Sequence, residues 1–347
     1  MDRTGPMADT GPCTEPGARQ AGPGLTGRTR RGHTVYQELL IFAGNAHPTL
    51  AQAICDHLGR PLGRARVYQF SNENIFVQIE ENVRERDVFI VQPAASPVND
   101  NLMELFIMVD AFRRASAGRI SVVMPYYAYG RSDKKDQPRV PITARLIANI
   151  LETAGADRIL TVDLHAGQIQ GFFNIPVDEL TALYMFVTHF REMNIEDPVV
   201  VATDLGASKK ARNVAERLNA PLAIMEKRRL GNEDKTEVLN VIGDVRGKTA
   251  LIVDDEVDTA GTLTQAVGAL ERFGAGAIYA AATHGILSGP ALQRIGCSPL
   301  KELVLTDSLP LPPAKHLDCI RTLSLAPMLA DAISRIHTGQ SVGAMFH

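Results

Sequence analysis

The sequence predicts an α/β protein built from mainly parallel sheets flanked by helices. Short β-rich runs alternate with helical stretches from Tyr36 onward, a pattern typical of parallel strands that are connected by helices. Several of the runs, such as Ala250–Val253, are continuously apolar, as expected of strands buried on both faces. The chain has 347 residues, of which 45% are hydrophobic and 22% charged, so it is long enough for two domains with separate cores.

Seven strands and two helices can be placed from this pattern. The predicted strands are residues 39–43, 87–92, 120–124, 158–163, 198–202, 249–254 and 277–282. A helix is predicted over 141–154, because Pro141 suits a first turn and Gly155 ends the apolar periodicity. Its buried face is expected to carry four side chains: Ile142, Leu146, Ile147 and Ile150. A second helix is predicted over 263–273.

The composition and the spacing of these elements divide the chain into three segments. Residues 1–35 contain almost no large apolar side chains, so we expect a disordered tail. Residues 36–182 and 183–347 each contain several strand and helix units and are expected to form two domains, and the last segment of the second can pack back on the first. A short echo between 162–166 and 203–207 is consistent with a duplication or with chance.

Composition also disfavours several classes of function. The net charge is -3, Trp is absent and aromatic residues make up 5%, so we expect no nucleic-acid partner. No apolar run approaches the roughly 20 residues of a membrane span, and the start lacks the apolar core of a signal peptide, so no membrane association is expected. The cysteines are scattered without metal-ligand spacing, which favours a reducing cytoplasm: Cys13, Cys55, Cys297 and Cys319.

The segment 251–262 carries the most specific motif, Leu-Ile-Val-Asp-Asp-Glu-Val-Asp-Thr-Ala-Gly-Thr. Asp254 and Asp255 emerge where a buried strand is predicted to end, which is the edge at which parallel sheets bind ligands. The small residues of 258–262 let backbone N–H groups approach an anion, and the N-terminus of the next helix adds partial positive charge. The pattern predicts a loop that binds a phosphoribosyl group, with an acidic helix cap as the alternative.

Three further strand ends carry polar side chains. In 125–136, Arg131 can hold a phosphate through two hydrogen bonds, unless this is a charged surface loop. His165 is a candidate metal or nucleotide-phosphate ligand, with a structural histidine as the alternative, and Asp204 offers the oxygen ligand that Mg²⁺ prefers. The charged stretch 226–236 is expected to be a mobile loop that closes over a substrate, or else a solvated charge run.

Together these segments closely resemble the ribose-phosphate pyrophosphokinase family, also called phosphoribosyl pyrophosphate synthetases. The resemblance covers about Leu39 to Phe346. The motif Asp-Asp-x-x-x-Thr-x-Gly-Thr at 254–262 is shared with phosphoribosyltransferases, whereas other blocks are specific to the synthetases. Those blocks are Asn99–Leu105, Asp133–Asp136, Asp163–Ala166, Gln168–Phe173, Thr283–Ile286 and Ser288–Pro290.

The resemblance implies an enzyme that uses Mg²⁺ to transfer the β,γ-diphosphoryl group of ATP to the 1-hydroxyl of ribose 5-phosphate. The products are phosphoribosyl pyrophosphate and AMP, and the pathway is nucleotide biosynthesis. It also implies two phosphoribosyltransferase-like domains. Family members usually assemble into hexamers in which the nucleotide site is shared between subunits, so we expect a homo-oligomer.

The resemblance assigns roles to particular residues. ATP-binding roles fall on Phe70, Asn72, Asn74, Arg131, Ser132, Asp133 and His165. Ribose 5-phosphate-binding roles fall on Arg229, Asp254, Asp255, Asp258, Thr259, Ala260, Gly261 and Thr262. The implied Mg²⁺ ligands are His165 and Asp204, and the implied catalytic cations are Lys227 and Arg229. Cations suit this reaction because attack at the β-phosphorus develops negative charge on the phosphate oxygens.

Two departures from the family pattern touch the nucleotide pocket. Asn74 stands where the family pattern has a glutamate, and Ser132 replaces a glutamine, so both changes bear on selectivity for the diphosphoryl donor. Two alternative functions remain open. A phosphoribosyltransferase that consumes phosphoribosyl pyrophosphate is disfavoured by the long N-terminal half. A non-catalytic regulatory paralogue is disfavoured because the chain retains four charged or ligating residues: His165, Asp204, Lys227 and Arg229.

Overall fold

The computed structural model describes Met1, residues 38–229 and residues 236–346, with the backbone alone at 227–229 and 236–239. The elements described here all lie in the compact unit that spans Val35–His347. The predicted tail over 1–35, apart from Met1, lies outside the described residues. No helix in the described part of the chain is long and apolar enough to cross a bilayer.

The described residues of the first half form seven strands and three α-helices. In order they are β1 (Leu39–Ala43), α1 (Pro48–Leu58), β2 (Ala65–Gln69), β3 (Ile75–Ile79), β4 (Asp87–Val91), α2 (Val98–Arg114), β5 (Arg119–Val123), α3 (Thr143–Ala154), β6 (Arg158–Val162) and β7 (Val177–Leu180). Five of these strands form a parallel sheet in the order β1-β4-β5-β6-β7. The other two, β2 and β3, form a separate antiparallel hairpin.

The second half forms a seven-stranded sheet. Its elements are α4 (Leu183–Glu192), β8 (Pro198–Ala202), α5 (Ser208–Leu218), β9 (Leu222–Arg229), β10 (Thr236–Ile242), β11 (Thr249–Val257), α6 (Gly261–Arg272), β12 (Ile278–Gly285), α7 (Ala291–Gly296), β13 (Glu302–Thr306), β14 (Ile320–Leu323) and α8 (Ala326–Thr338). The strand order is β10-β9-β8-β11-β12-β13-β14, and the β9–β10 pair is antiparallel whereas the other pairs are parallel. The predicted α/β class with mainly parallel sheets is therefore confirmed.

Strand positions follow the prediction closely, but β11 is longer than expected. β1 and β8 have the predicted limits, whereas β11 continues to Val257. The extension arises because parallel pairing with β12 goes on through Asp254↔Ala282 and Glu256↔His284. The acidic pair therefore lies inside the paired strand and not after it, and β12 gives its backbone a fixed direction.

The helix predicted over 141–154 has a different start and a different buried face. It begins at Thr143, so Pro141 lies outside the helix instead of in its first turn. Leu146, which was expected to be buried, is 51% exposed. The buried residues of the helix are Ala144, Ile147, Ala148 and Leu151. The two alanines allow the helix to pack closely against the sheet. The helix does end at the predicted Gly155, which has φ 121°.

The stretch 226–236, predicted to be a mobile loop, is strand at 226–229 and at Thr236, whereas the prediction for 230–235 lies outside the described residues. β9 continues to Arg229 and β10 begins at Thr236, with these two residues paired. Lys227 pairs with Val238 in the same ladder. At 226–229, backbone hydrogen bonding to a neighbouring strand thus overrides the loop-like composition.

Asp163 joins the two sheets at the carboxyl end of β6. Its carboxylate accepts hydrogen bonds from Thr181 Oγ1 and Ala182 N, both at 2.9 Å, and from Thr283 Oγ1 of β12 at 2.6 Å. Lys210 Nζ of α5 lies 3.6 Å from the same carboxylate. A buried acid is tolerated because these donors replace water, so the network fixes β6 relative to β12.

His284, the next residue along β12, makes a second connection between the sheets. Its Nε2 lies 3.0 Å from the carbonyl oxygen of Val162, and its Nδ1 lies 2.9 Å from Ser308 Oγ. The neutral ring satisfies both contacts when Nε2–H donates and Nδ1 accepts. Burial lowers the pKa of His284 from its ordinary value of 6.5, although the nearby Asp163 carboxylate acts in the opposite direction.

The buried imidazole makes stability sensitive to acid. Below pH 6.5 the unfolded ring binds a proton that the folded ring does not, so the unfolded state gains stability as the pH falls. We expect this group to lower the free energy of unfolding by up to about 1.4 kcal/mol per pH unit below that pKa. Urea unfolding at pH 7.5, 6.5 and 5.5 should show a flatter dependence for His284→Gln than for wild type. The exposed His57→Gln serves as control, and an equal slope in His284→Gln would assign the effect to other groups.

The C-terminal helix α8 packs on α1, which flanks the first sheet. His337 Nδ1 lies 2.8 Å from Oδ2 of Asp87, a fully buried residue at the start of β4. Arg119 of β5 binds the same carboxylate and also donates to the carbonyl oxygen of Ile336 at 3.1 Å. These contacts bind the C-terminal end of α8 to the first sheet.

Candidate active site

A cavity of about 550 Å³ lies where the carboxyl ends of strands from both sheets meet. Arg131 and His165 reach it from the first sheet, through the loops after β5 and β6. The second sheet contributes its lining from the ends of three elements: Asp204 after β8, Lys210 on α5, and residues 254–263. This is the edge at which parallel sheets place ligands, and here two such edges face each other.

His165 contacts the acidic pair directly. Its Nδ1 lies 2.7 Å from Oδ2 of Asp255, although the two residues are 90 positions apart in the chain. The hydrogen bond to Asp255 raises the pKa of His165 above its ordinary value, despite partial burial. This contact brings a residue from the predicted metal and nucleotide set onto the predicted phosphoribosyl-binding segment.

Asp254 and Asp255 have pKa values displaced in opposite directions. Burial raises the pKa of Asp254, and the adjacent Asp255 carboxylate raises it further. Although burial acts against it, hydrogen bonds with His165 and Asp254 hold the pKa of Asp255 below its ordinary value. Of the two acids, Asp254 therefore binds a proton more readily than Asp255 does. Their carboxylate oxygens can accept hydrogen bonds from sugar hydroxyls.

One group of side chains in the described part of the chain is arranged as a metal site. Ligand atoms of His165, Asp255 and Glu256 lie within 4.8 Å of one another. Carboxylate oxygens fit a hard cation, and Asp204 lines the same cavity with its carboxylate. Asp204 Oδ1 also accepts a hydrogen bond from the backbone N–H of Ala207 at 2.9 Å, which fixes its direction. The predicted ligands His165 and Asp204 therefore line one cavity, and the ligand atoms that lie close together are those of His165, Asp255 and Glu256.

The segment 258–262 forms the turn into α6. Ala260 has a left-handed backbone with φ 57°, which is uncommon for a non-glycine residue. Gly261 begins the helix, so its backbone N–H belongs to the helix N-terminus that faces the cavity. Two side chains brace the turn from outside: Ser288 donates to Asp258, and Arg294 Nη1 donates to the carbonyl oxygen of Thr259 at 3.0 Å. The geometry suits an anion at Asp258–Thr262.

Other predicted nucleotide-binding residues lie away from this cavity. Phe70, Asn72 and Asn74 are on the β2–β3 hairpin, where Phe70 is 46% exposed and packs against Tyr68. Asp133 is buried and accepts a hydrogen bond from Gln168 Nε2 at 2.5 Å. None of the hairpin residues, nor Ser132 or Asp133, is among the described residues that line the cavity.

The predicted catalytic cations lie on β9, at the same end of the second sheet. β9 runs parallel to β8, with Ile224 paired to Ala202, so both strands point toward the edge that carries Asp204. The backbone of Lys227 and Arg229 continues β9 beyond that edge. The cavity-lining residues Glu256 and Lys210 received no role from the sequence, because a single charged residue beside a strand or helix end carries no distinguishing pattern.

Comparisons with known proteins match both the N-terminal and the C-terminal part of the chain to one family. Residues 39–155 match the model of the N-terminal domain of ribose phosphate pyrophosphokinase, and residues 230–347 match that of the phosphoribosyl synthetase-associated domain. A ribose-phosphate pyrophosphokinase of Caldanaerobacter subterraneus subsp. tengcongensis is 53% identical over 309 residues, which cover 89% of this chain and 98% of the relative. The chain belongs to the ribose-phosphate pyrophosphokinase family.

Two further relatives support this assignment. The ribose-phosphate pyrophosphokinase of Bacillus subtilis strain 168 is 48% identical over 310 residues, covering 89% of this chain and 98% of the relative. The crystal structure of phosphoribosylpyrophosphate synthetase from Mycobacterium smegmatis superposes with a TM-score of 0.82 and 42% identity, covering 87% of this chain and all of that one. The resemblance drawn from the sequence is thus confirmed, and the chain is an enzyme of the ribose-phosphate pyrophosphokinase type. The family assignment therefore excludes the alternative that the chain is a phosphoribosyltransferase.

Proposed function

We propose that this protein transfers the β,γ-diphosphoryl group of ATP to the 1-hydroxyl of ribose 5-phosphate, with Mg²⁺ as cofactor. The observation that carries the proposal is the 2.7 Å contact between His165 and Asp255. It joins the predicted nucleotide and metal residues of the first sheet to the phosphoribosyl-binding segment of the second. A transfer between two bound substrates needs such a junction.

Ribose 5-phosphate would bind along β11 and the turn after it. The backbone N–H groups of Asp258–Thr262 would hold the 5-phosphate at the N-terminus of α6. Asp254 and Asp255, which precede this turn in β11, would accept hydrogen bonds from the ribose hydroxyls. Holding both ends of the sugar phosphate leaves little freedom at the 1-hydroxyl.

ATP would bind opposite the sugar, with Arg131 and His165 toward its phosphates. The carboxylates of Asp204 and Asp255 and the ring of His165 would hold Mg²⁺, which when bound offsets phosphate charge. The 1-hydroxyl oxygen forms a bond to the β-phosphorus, and the bond from that phosphorus to the α,β-bridging oxygen breaks. AMP leaves with the bridging oxygen, and the hydroxyl proton passes to water. Lys227 and Arg229 would stabilise the charge on the transferring group.

An activity assay tests this proposal against a non-catalytic paralogue. Purified protein with ATP and Mg²⁺ should release AMP and form phosphoribosyl pyrophosphate when ribose 5-phosphate is present, and neither product without the pentose. Chelation of the metal should stop the reaction. The absence of AMP across a titration with inorganic phosphate would contradict the proposal and favour the non-catalytic paralogue.

The proposal includes a homo-oligomer, a hexamer by family resemblance, in the cytoplasm. The hairpin residues Phe70, Asn72 and Asn74 do not line the cavity of their own chain, which suits a nucleotide site shared between subunits. Cytoplasmic location suits an ATP-using enzyme whose described cysteines, Cys55, Cys297 and Cys319, are unpaired. Analytical ultracentrifugation measures the assembly, and a monomer with full activity would contradict the shared site.

A further inference from the structure

Glu256 occupies a position that the family motif leaves open. It is the third residue of Asp-Asp-x-x-x-Thr-x-Gly-Thr and lies inside β11, where it pairs with His284 of β12. Its side chain is only 6% exposed, yet it lines the cavity. Its carboxylate contacts the Nε edge of Arg131, which comes from the loop after β5 in the other sheet. The side chain is therefore buried and paired with a cation that crosses the cavity.

We propose that Glu256 is a positioning residue that holds Arg131 ready for the phosphates of the diphosphoryl donor. The inference rests on the proposed function, in which Arg131 binds ATP. A guanidinium has an Nε edge and an Nη edge, and one acid can fix the first while the second binds an anion. Arg131 Nη1 has only a long approach, 3.7 Å, to Oδ2 of Asp258. The contact with Glu256 thus occupies the Nε edge and leaves the Nη edge in the cavity for an anion.

The physical advantage is preorganisation. The Arg131 side chain is 57% exposed and would otherwise sample many rotamers, whose loss on binding lowers affinity. Glu256 is held by a paired strand and by burial, so it is a rigid anchor. Since one partner belongs to each sheet, the pair also fixes the distance between the donor-binding loop and the sugar-binding strand.

Two other roles for Glu256 predict different results. As a metal ligand with His165 and Asp255, it would affect binding of the cation and not binding of the nucleotide at saturating cation. If Glu256 instead competed with the ATP phosphates for Arg131, it would weaken nucleotide binding, and its removal would lower the Kd for the nucleotide. Positioning alone predicts weaker nucleotide binding that depends on Arg131.

The experiment measures calorimetric binding of α,β-methylene-ATP, which is inert because its α,β bridge cannot break in the reaction. The proteins are wild type, Glu256→Ala, Glu256→Gln, Arg131→Ala and the double alanine variant, all at saturating Mg²⁺. Glu256→Ala should raise the Kd by about tenfold, and Glu256→Gln by less because its amide oxygen still accepts from Nε. In the Arg131→Ala background, Glu256→Ala should have no further effect. The exposed Glu271→Gln on α6 is the matched control and should bind as wild type.

Kinetics supply the second readout. Glu256→Ala should raise KM for ATP in parallel with the Kd, with little change in kcat at saturating ATP. Tighter nucleotide binding, an additive effect in the double variant, or a defect that excess Mg²⁺ removes would each overturn the proposal. If Glu256→Ala weakens binding of the analogue but the wild-type protein releases no AMP, the proposed function is contradicted and the positioning role stands. Active enzyme with unchanged binding in Glu256→Ala would do the reverse.

Discussion

Lys227→Ala is expected to lower kcat by about 10³-fold or more while the protein stays folded. The transferring diphosphoryl group gains negative charge on its oxygens at the transition state, and a fixed cation stabilises that charge more than the ground state. Lys227 lies on β9 beyond the sheet edge that carries Asp204, where its backbone pairs with Val238 of β10. Since strand pairing uses backbone groups, an alanine can occupy the same position in the ladder.

The measurement is steady-state AMP release at saturating ATP and ribose 5-phosphate, with far-UV circular dichroism and thermal unfolding as checks on the fold. Lys301→Ala, an exposed lysine before β13 at the opposite end of the sheet, is the matched control and should keep wild-type activity. Lys227→Arg separates charge from geometry, because the charge remains while its position changes. A Lys227→Ala enzyme with normal kcat would show that Lys227 is not the catalytic cation.

Asp163→Ala is expected to lower the free energy of unfolding by about 3 kcal/mol or more. The carboxylate accepts three hydrogen bonds in a buried position, and two of the donors, Ala182 N and Thr283 Oγ1, are themselves buried. Removal leaves those donors and the nearby Lys210 cation without their acceptor. Asp163 also has a left-handed backbone, with φ 40°, which aspartate tolerates better than alanine does.

Urea unfolding measures this loss, and Asp163→Asn should be intermediate because asparagine keeps one acceptor oxygen and tolerates the same backbone. The control is Asp56→Ala, whose carboxylate accepts a hydrogen bond from Gln52 on the exposed side of α1 and should matter by no more than about 0.5 kcal/mol. Equal stability of Asp163→Ala and wild type would mean that water satisfies the donors that the substitution leaves without an acceptor. The connection between β6 and β12 would then depend on His284 alone.

Sequence patterns predicted the limits of secondary-structure elements well where burial alone decides which residues form the element. Apolar runs buried on both faces identify β1 and β8 to the residue, because a strand in a parallel sheet needs such a run. The buried face of α3 was misjudged at Leu146, since the same apolar periodicity fits more than one rotation of a helix. The composition of 226–236 predicts a loop, whereas 226–229 are strand, because pairing with β10 is not visible in the composition.

In the candidate site, too, features within one continuous segment were predictable, and contacts between distant segments were not. The motif at 254–262 identifies a phosphoribosyl-binding segment without any structure, because strand, acids and small residues occur in one continuous stretch. Arg131 and Glu256 were each visible in the sequence, but their contact was not, since they come from different sheets. The same holds for Asp163 and Thr283, which lie 120 residues apart.

The sequence by itself determined the α/β class, the family and the chemistry of the phosphoribosyl-binding segment, because each depends on residues that are neighbours in the chain. Only the tertiary structure decided which side chains face each other across the cavity: His165 with Asp255, and Arg131 with Glu256. It also decided where charge is held, because burial and contact set the pKa values of Asp254 and Asp255 in opposite directions. Such pairings arise from the packing of two sheets, and packing is a property of the whole chain that no short segment encodes.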